Sequence, residues 1–269
     1  MKKTKIEWCD STWNPVTGCF HNCKYCYASK IATRFGGASE THHNETVGTE
    51  CQWITEAEGK IHDLDKPIYD YDMGHNAPYP FEFDPTFHRY RLGIPAQWTN
   101  PRTIFVCSMA DLFGDWVPDS WIEEVFSACD RAPQHRYLFL TKNPKRLCDL
   151  ANAGKLPKRD NWWFGSTVTN KAASRYAGRL VDNTFISIEP ILENLDVGLG
   201  SFGSANWIIV GAETGNRKDK VVPKKEWIDN ICEAADITHA AVFMKDSLIP
   251  IIGEENMRRE YPWKQEGKQ

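Results

Sequence analysis

The chain lacks a basic leader followed by an apolar run, so nothing in it predicts secretion or a membrane partner, and a cytoplasmic location is expected. It also lacks a strong excess of either charge. A formal net charge of -4 over 269 residues gives no general footprint for nucleic acid, although a local basic groove remains compatible with it. No disulfide framework of the small secreted kind is visible. The nine cysteines are odd in number, and outside one close group they are scattered, as at Cys51, Cys107, Cys129, Cys148 and Cys232, which suits reduced thiols and metal binding. A complete phosphate-loop or dinucleotide glycine pattern is missing too, because Val210-Gly211-Ala212-Glu213-Thr214-Gly215 is glycine-rich without matching either. The eleven tryptophans and nine tyrosines are read first as core packing and only second as stacking surfaces.

What is present is a run of strand and helix signals long enough for one large domain over residues 1–269. An early strand is expected within 11–17 and a short helix over 29–35, stopped by Gly36-Gly37. Residues 38–98, punctuated by Pro67, Pro78, Pro80, Pro85 and Pro95, read as an insertion that serves as a lid or as a structural cover. Beyond it, continuous apolar stretches at 103–107, 136–140, 162–166, 184–188, 207–210 and 241–244 predict buried parallel strands. Helices are expected between them at 119–129, 144–153, 171–180 and 224–235, with Asp119 as a cap and Pro144 in a first turn. This order predicts an α/β fold, a partial or complete TIM-like β/α barrel, with a doubly wound sheet as the alternative. Residues 250–269 read as a C-terminal cover or tail.

The close group is Cys19, Cys23 and Cys26, with three residues in the first gap and two in the second. Three thiolates so spaced can clamp three irons of a cubane cluster and leave the fourth open; a closed zinc site is the competing reading, with His21 as a fourth ligand. Polar residues follow the predicted strands. Ser108 and Asp111 come after the first of them, Thr141-Lys142 and Ser166-Thr167 after the next two, and each can orient a ligand or serve a cap, turn or ion pair. Glu189 ends an apolar strand, where a carboxylate is costly to bury alone. Gly211 can admit a close approach and Glu213 can face a ligand, or both can build a tight turn. Lys245 offers a cation or a structural ion pair.

The cysteine spacing resembles the loop of the radical SAM superfamily. That resemblance implies a [4Fe-4S] cluster on Cys19, Cys23 and Cys26, with S-adenosyl-L-methionine on the fourth iron. It further implies reductive cleavage of the cofactor to methionine and a 5'-deoxyadenosyl radical, and a reducing protein as partner. Tyr25 stands where family members carry an aromatic residue near adenine. Ser108 and Asp111 would meet the methionine group, and Thr141, Lys142, Ser166, Glu189, Gly211 and Glu213 would belong to the cofactor site. The family's Gly-Gly-Glu stretch after the first of these strands is absent here. More broadly, Ile6-Glu7-Trp8, Trp13-Asn14-Pro15, Pro85-Thr86-Phe87-His88, Ser108-Met109-Ala110-Asp111-Leu112-Phe113, Leu140-Thr141-Lys142 and Ile188-Glu189-Pro190 resemble a phage-associated branch of unassigned function. Many members of that branch have a longer gap before the second cysteine and Gly-Gly-Glu-Ser-Gly where this chain has residues 211–215. The resemblance leaves the substrate open, with a nucleotide or nucleic acid among the candidates, and the alternatives are a noncatalytic zinc- or iron-sulfur-stabilised binding protein and an electron-transfer or redox-sensing protein.

Overall fold

The computed structural model describes residues 4–37, 54–56, 59–171, 183–195, 202–203 and 205–267. In chain order its strands are β1 Ser11–Trp13, β2 Val16–Thr17, β3 Ile54–Glu56, β4 Gly59–Leu64, β5 Tyr69–Asp70, β6 His75–Asn76 and β7 Thr86–His88. They continue as β8 Thr103–Val106, β9 Arg136–Thr141, β10 Trp162–Thr167, β11 Thr184–Ile188, β12 Trp207–Val210 and β13 Ala241–Met244. A seven-stranded parallel sheet runs in the order β1-β8-β9-β10-β11-β12-β13. This order follows the chain without a reversal, whereas a doubly wound sheet must reverse at its switch point. The doubly wound alternative is thereby set aside. Among the described residues β1 and β13 are the end strands and do not pair with each other, and the outer edge of β13 takes an antiparallel bridge from Arg259 to Phe243.

Every residue of β8, β10, β11, β12 and β13 is buried, which is why these strands read as unbroken apolar runs rather than alternating ones. The strands expected at 184–188, 207–210 and 241–244 have those bounds. The one expected over 103–107 stops at Val106 because Cys107 takes a positive φ of 58° and turns the chain. Those expected to end at 140 and 166 run one residue further, to the buried hydroxyls of Thr141 and Thr167.

Helix boundaries follow their caps. Tyr27–Phe35 starts two residues before the expected 29 because the Cys26 side chain accepts the Ser29 N–H and caps it. Asp119 is not a cap: Pro118 holds that position, and Asp119 opens the helix Asp119–Asp130, where its carboxylate favours the positive end of the dipole. The helix Pro144–Asn152 is capped by Asn143, which accepts from the Arg146 N–H, and has Pro144 in its first turn. The helix expected at 224–235 is Lys225–Ile237, and the one expected over 171–180 lies outside the described residues beyond Lys171.

The chain divides into two compact units, Met1–Thr4 with Cys9–Tyr137, and Lys5–Trp8 with Leu138–Gln269. In the first unit, the described part of the insertion adds a second sheet ordered β2-β7-β4-β3, in which β7 pairs antiparallel with β2 and parallel with β4. The fully buried His88 on β7 lies 2.8 Å from the Thr17 hydroxyl of β2 and 3.1 Å from the Tyr90 hydroxyl. Burial holds its pKa well below 6.5, so it packs as a neutral ring. Arg89 clamps Glu124 and Asp63 with hydrogen bonds of 2.7 to 3.1 Å and thereby ties β4 to the helix Asp119–Asp130.

In the second unit, the helix Lys225–Ile237 lays Ile228, Ile231 and Ala235 on a core that includes Ile186, Ile208 and Val242. In the same unit Trp207 stands among Trp8, Phe185, Phe243, Tyr261 and Trp263, with ring centroids 5.0 to 6.3 Å away. Its Nε1 donates to the Glu260 carbonyl at 3.0 Å, so the C-terminal segment is held by both packing and a satisfied polar group. Trp207→Ala is expected to cost about 3–5 kcal/mol of stability in urea unfolding; a loss below about 1 kcal/mol would show that this cluster does not hold the unit together.

Candidate functional site

In the first unit, the cysteine loop is fastened to the turn after β8. Parallel pairing sets Trp13 of β1 beside Val106 of β8, and the Cys107 N–H donates to the Trp13 carbonyl at 2.8 Å. Asn14 then holds the turn, its Oδ1 accepting from the Ser108 hydroxyl at 3.1 Å and the Met109 N–H at 3.0 Å. Gly18 donates its N–H to the Met109 carbonyl at 2.9 Å and bridges Ala110. Its φ of 83° belongs to glycine, and a Cβ there would overlap the Asp84 carbonyl. Tyr27 donates its hydroxyl to the Ser108 carbonyl at 2.7 Å, and His21 Nε2 lies 2.7 Å from Asp111 Oδ2. Thus both ends and the middle of the loop grip residues 108–111.

Asp111 is buried, and its second oxygen accepts the Phe113 N–H at 3.0 Å. It is therefore built into the turn and also fixes His21, which packs edge-on against Trp116 with centroids 4.9 Å apart. The three thiols are half-buried, unlike the buried Cys9, Cys107 and Cys129. The His21 N–H donates to Cys19 Sγ at 3.5 Å and the Ser29 N–H to Cys26 Sγ at 3.4 Å. Tyr25 lies half-buried in the turn between the second and third cysteines.

Burial pushes the Cys19 thiol up to about 12; the His21 N–H opposes this, and the charges of Asp111, Cys23 and Cys26 add to it. The three cysteines are thus electrostatic neighbours. Among the described residues, however, no group of three or more His, Cys, Asp or Glu side chains is arranged to hold a metal ion. By donor chemistry the loop nevertheless suits an iron-sulfur cluster: it offers three soft thiols at reachable depth, two of them receiving N–H donors and one sitting at a helix N-terminus.

The second unit gathers another set at its strand ends. Register places Ile188, Val210 and Met244 side by side, so that Glu189, Gly211 and Lys245 are the residues immediately after the three strands. Glu189 and Lys245 form an ion pair, with side chains 27% and 15% exposed. Gly211 lies against both: a Cβ there would come 3.1 Å from Lys245 Cδ and 3.4 Å from Glu189 Cγ. Lys142 Nζ is 3.4 Å from the Thr167 hydroxyl, while Thr141 accepts the Asn143 N–H at 2.9 Å and so serves its own turn. Ser166 is fully buried within β10. Glu213 is buried and takes Arg217 in a two-pronged bond of 2.6 and 2.7 Å. This bond first, and the Arg217 charge with it, holds the Glu213 carboxyl below the usual range despite burial.

Three site features had no distinct signal in the sequence. His21 is drawn to Asp111 across ninety positions, Asn14 works through a turn, and Arg217 is one cation in a basic stretch. The Asn14 position was visible only as part of Trp13-Asn14-Pro15.

The chain belongs to the family described as "Protein of unknown function (DUF5131)", whose model matches residues 3–248. No curated protein and no solved structure gives a significant match.

Two outcomes are expected from this geometry. Gly18→Ala should cost about 1–3 kcal/mol from the positive φ, and the overlap with Asp84 adds to that; thermal unfolding unchanged by the substitution would contradict the close approach. The Glu213 contribution is complete above its unfolded pKa near 4.5 and is lost as pH falls towards its lower folded value. Glu213→Gln should therefore flatten the acid limb of a stability-against-pH curve below pH 4.5, and an unaltered limb would mean that the pair contributes nothing there.

Proposed function

We propose that this DUF5131 family member is a radical S-adenosyl-L-methionine enzyme on a partial TIM-like barrel, with Cys19, Cys23 and Cys26 holding a [4Fe-4S] cluster. The observation that carries the reading is the three-cysteine loop itself, spaced three and two, ending at a helix N-terminus and tied to residues 108–111 after a parallel strand. With cluster and cofactor bound, such a site supplies one-electron cleavage of the sulfonium bond and a 5'-deoxyadenosyl radical.

The chain's own residues have roles that follow from their contacts. Backbone N–H groups of His21 and Ser29 point at sulfur and stabilise negative charge on Cys19 and Cys26. Asp111 orients His21 within the loop, and Trp116 packs edge-on against that ring. Tyr25 and Ser108 are assigned to cofactor contacts, and Asp111 acts chiefly through His21. In the second unit, Lys142 and Lys245 are assigned to anionic groups of a ligand at the strand ends, Glu189 to a donor group on it and Gly211 to its close approach, whereas Thr141, Ser166 and Glu213 are held by the turn, the strand and the Arg217 pair. The reaction also needs a one-electron donor, so a reducing protein is the expected partner.

Anaerobic reconstitution with iron and sulfide, followed by reduction and addition of S-adenosyl-L-methionine, tests the reading. Iron, sulfide and 5'-deoxyadenosine should all appear in the wild type and fall to background in Cys23→Ala, with Cys129→Ala retaining iron. Equal product from wild type and Cys23→Ala would sink the assignment, and stoichiometric zinc with no cluster would favour a structural metal. Glu189→Gln is expected to keep cluster iron but weaken cofactor affinity; unchanged affinity and turnover would remove Glu189 from the site.

A further inference from the structure

The whole chain is mildly acidic, yet residues 214–224 carry Arg217, Lys218, Lys220 and Lys224 against the single carboxylate of Asp219. This stretch leads from the end of β12 to the helix Lys225–Ile237, and it begins three residues after Gly211, which packs on the Glu189–Lys245 pair of the same unit. Glu213 organises the stretch from within. Its buried carboxylate takes the Arg217 guanidinium in a two-pronged bond, so the chain from 213 to 217 closes on one group. Gly215, at φ 90°, makes the turn, Lys220 donates to its carbonyl at 3.4 Å, and Pro223 is buried beneath.

Arg217 is consumed by this internal bond, whereas among the described residues the three lysines carry no carboxylate partner, Lys220 touching only the Gly215 carbonyl. Lys218, Lys220 and Lys224 are exposed, and among the described residues none of them enters an ion pair. A shaped loop that spends its arginine inside and turns three ammonium groups outward, on a protein of opposite net sign, is a local attractor for anions. Residues 211–224 contain no aromatic side chain on which a base could stack. Lysines without stacking partners recognise phosphate as point charges and carry little sequence preference.

We propose that the loop of residues 213–224 docks the phosphate backbone of a polynucleotide. The proposal deepens the enzyme reading by naming the substrate class, and it rests on that reading only for the claim that the docked polymer is modified. Several phosphates in one chain engage the three lysines together and release their counterions, which distinguishes a polynucleotide from a single small anion. Apart from Val222, which is 65% exposed, and the half-buried Val221, the loop offers no apolar side chain to the surface that would select a peptide.

The test is fluorescence anisotropy of the reconstituted full chain with a labelled 20-nucleotide single strand and a 20-base-pair duplex, across about 50–200 mM salt. Wild type should bind at least one of the two with a steep salt dependence. Combined Lys218→Ala, Lys220→Ala and Lys224→Ala should weaken binding at least about tenfold at low salt and lower the slope of log K against log salt by about 2–3, the share of three phosphate contacts. A Lys155→Ala, Lys158→Ala control should behave as wild type, and circular dichroism verifies that all three proteins are folded. The proposal is overturned if wild type binds neither oligonucleotide, if it prefers polyglutamate, or if the triple variant keeps wild-type affinity and slope. Cofactor cleavage without substrate should be the same in the triple variant and wild type, so lost binding with intact cleavage concerns the loop alone, and absent cleavage with intact binding strikes only the enzyme reading.

Discussion

The cysteine loop depends on the parallel pairing of β1 with β8. That pairing sets Trp13 against Val106, and from it follow the Cys107 N–H bond to Trp13, the Asn14 clasp on Ser108 and Met109, and the approach of Gly18 to Met109. Both partners are short strands, of three and four residues, so few ladder bonds carry the arrangement. Side chains make up the difference. The Tyr27 hydroxyl, the His21–Asp111 pair and the β2–β7 pairing each fasten a different part of the same segment. A loop held at several points loses little entropy when it takes up a ligand.

The cysteines differ in depth, although burial raises the Cys19 thiol as well as the deeper ones. Burial raises the Cys107 thiol to about 12 and the Cys129 thiol well above its ordinary value, so both pack as small apolar groups and stay protonated. The clustered three sit at intermediate depth, where a ligand can reach them. A similar economy governs the charged residues of the second unit: Glu189 is compensated by Lys245 and Glu213 by Arg217, because an uncompensated carboxylate at those depths would be expensive. In each case the partner comes from a loop or strand end, the part of a parallel sheet that remains free to vary without disturbing the core.

Much of the sheet was legible in the chain. Strands buried on both faces leave continuous apolar runs, and β11, β12 and β13 could be bounded to the residue for that reason. Boundaries failed where a side chain intervened. Cys107 turns out of β8 through a left-handed backbone, Cys26 begins its helix early by using sulfur as the cap, and Pro118 takes the cap position expected of Asp119. The insertion was legible as an interruption, but proline and aromatic content did not reveal that β7 and β4 would join β2 in a second sheet. Pairing across some seventy residues leaves no local trace, and strands of two or three residues carry almost no periodicity.

The sequence by itself determined the strand-and-helix order, the spacing of three thiols in one loop and the polar residues that end successive strands, because these are local properties of a chain. The tertiary structure decided that the strands lie in chain order rather than reversing, and that Asp111 serves His21 while Glu189 serves Lys245. It also decided that Glu213 folds a basic stretch around itself and leaves three lysines outside. The physical reason is common to all of these: a charge or a hydrogen-bond donor acquires its role from the partner that burial forces upon it, and that partner is chosen by distance in space, which the linear chain does not record.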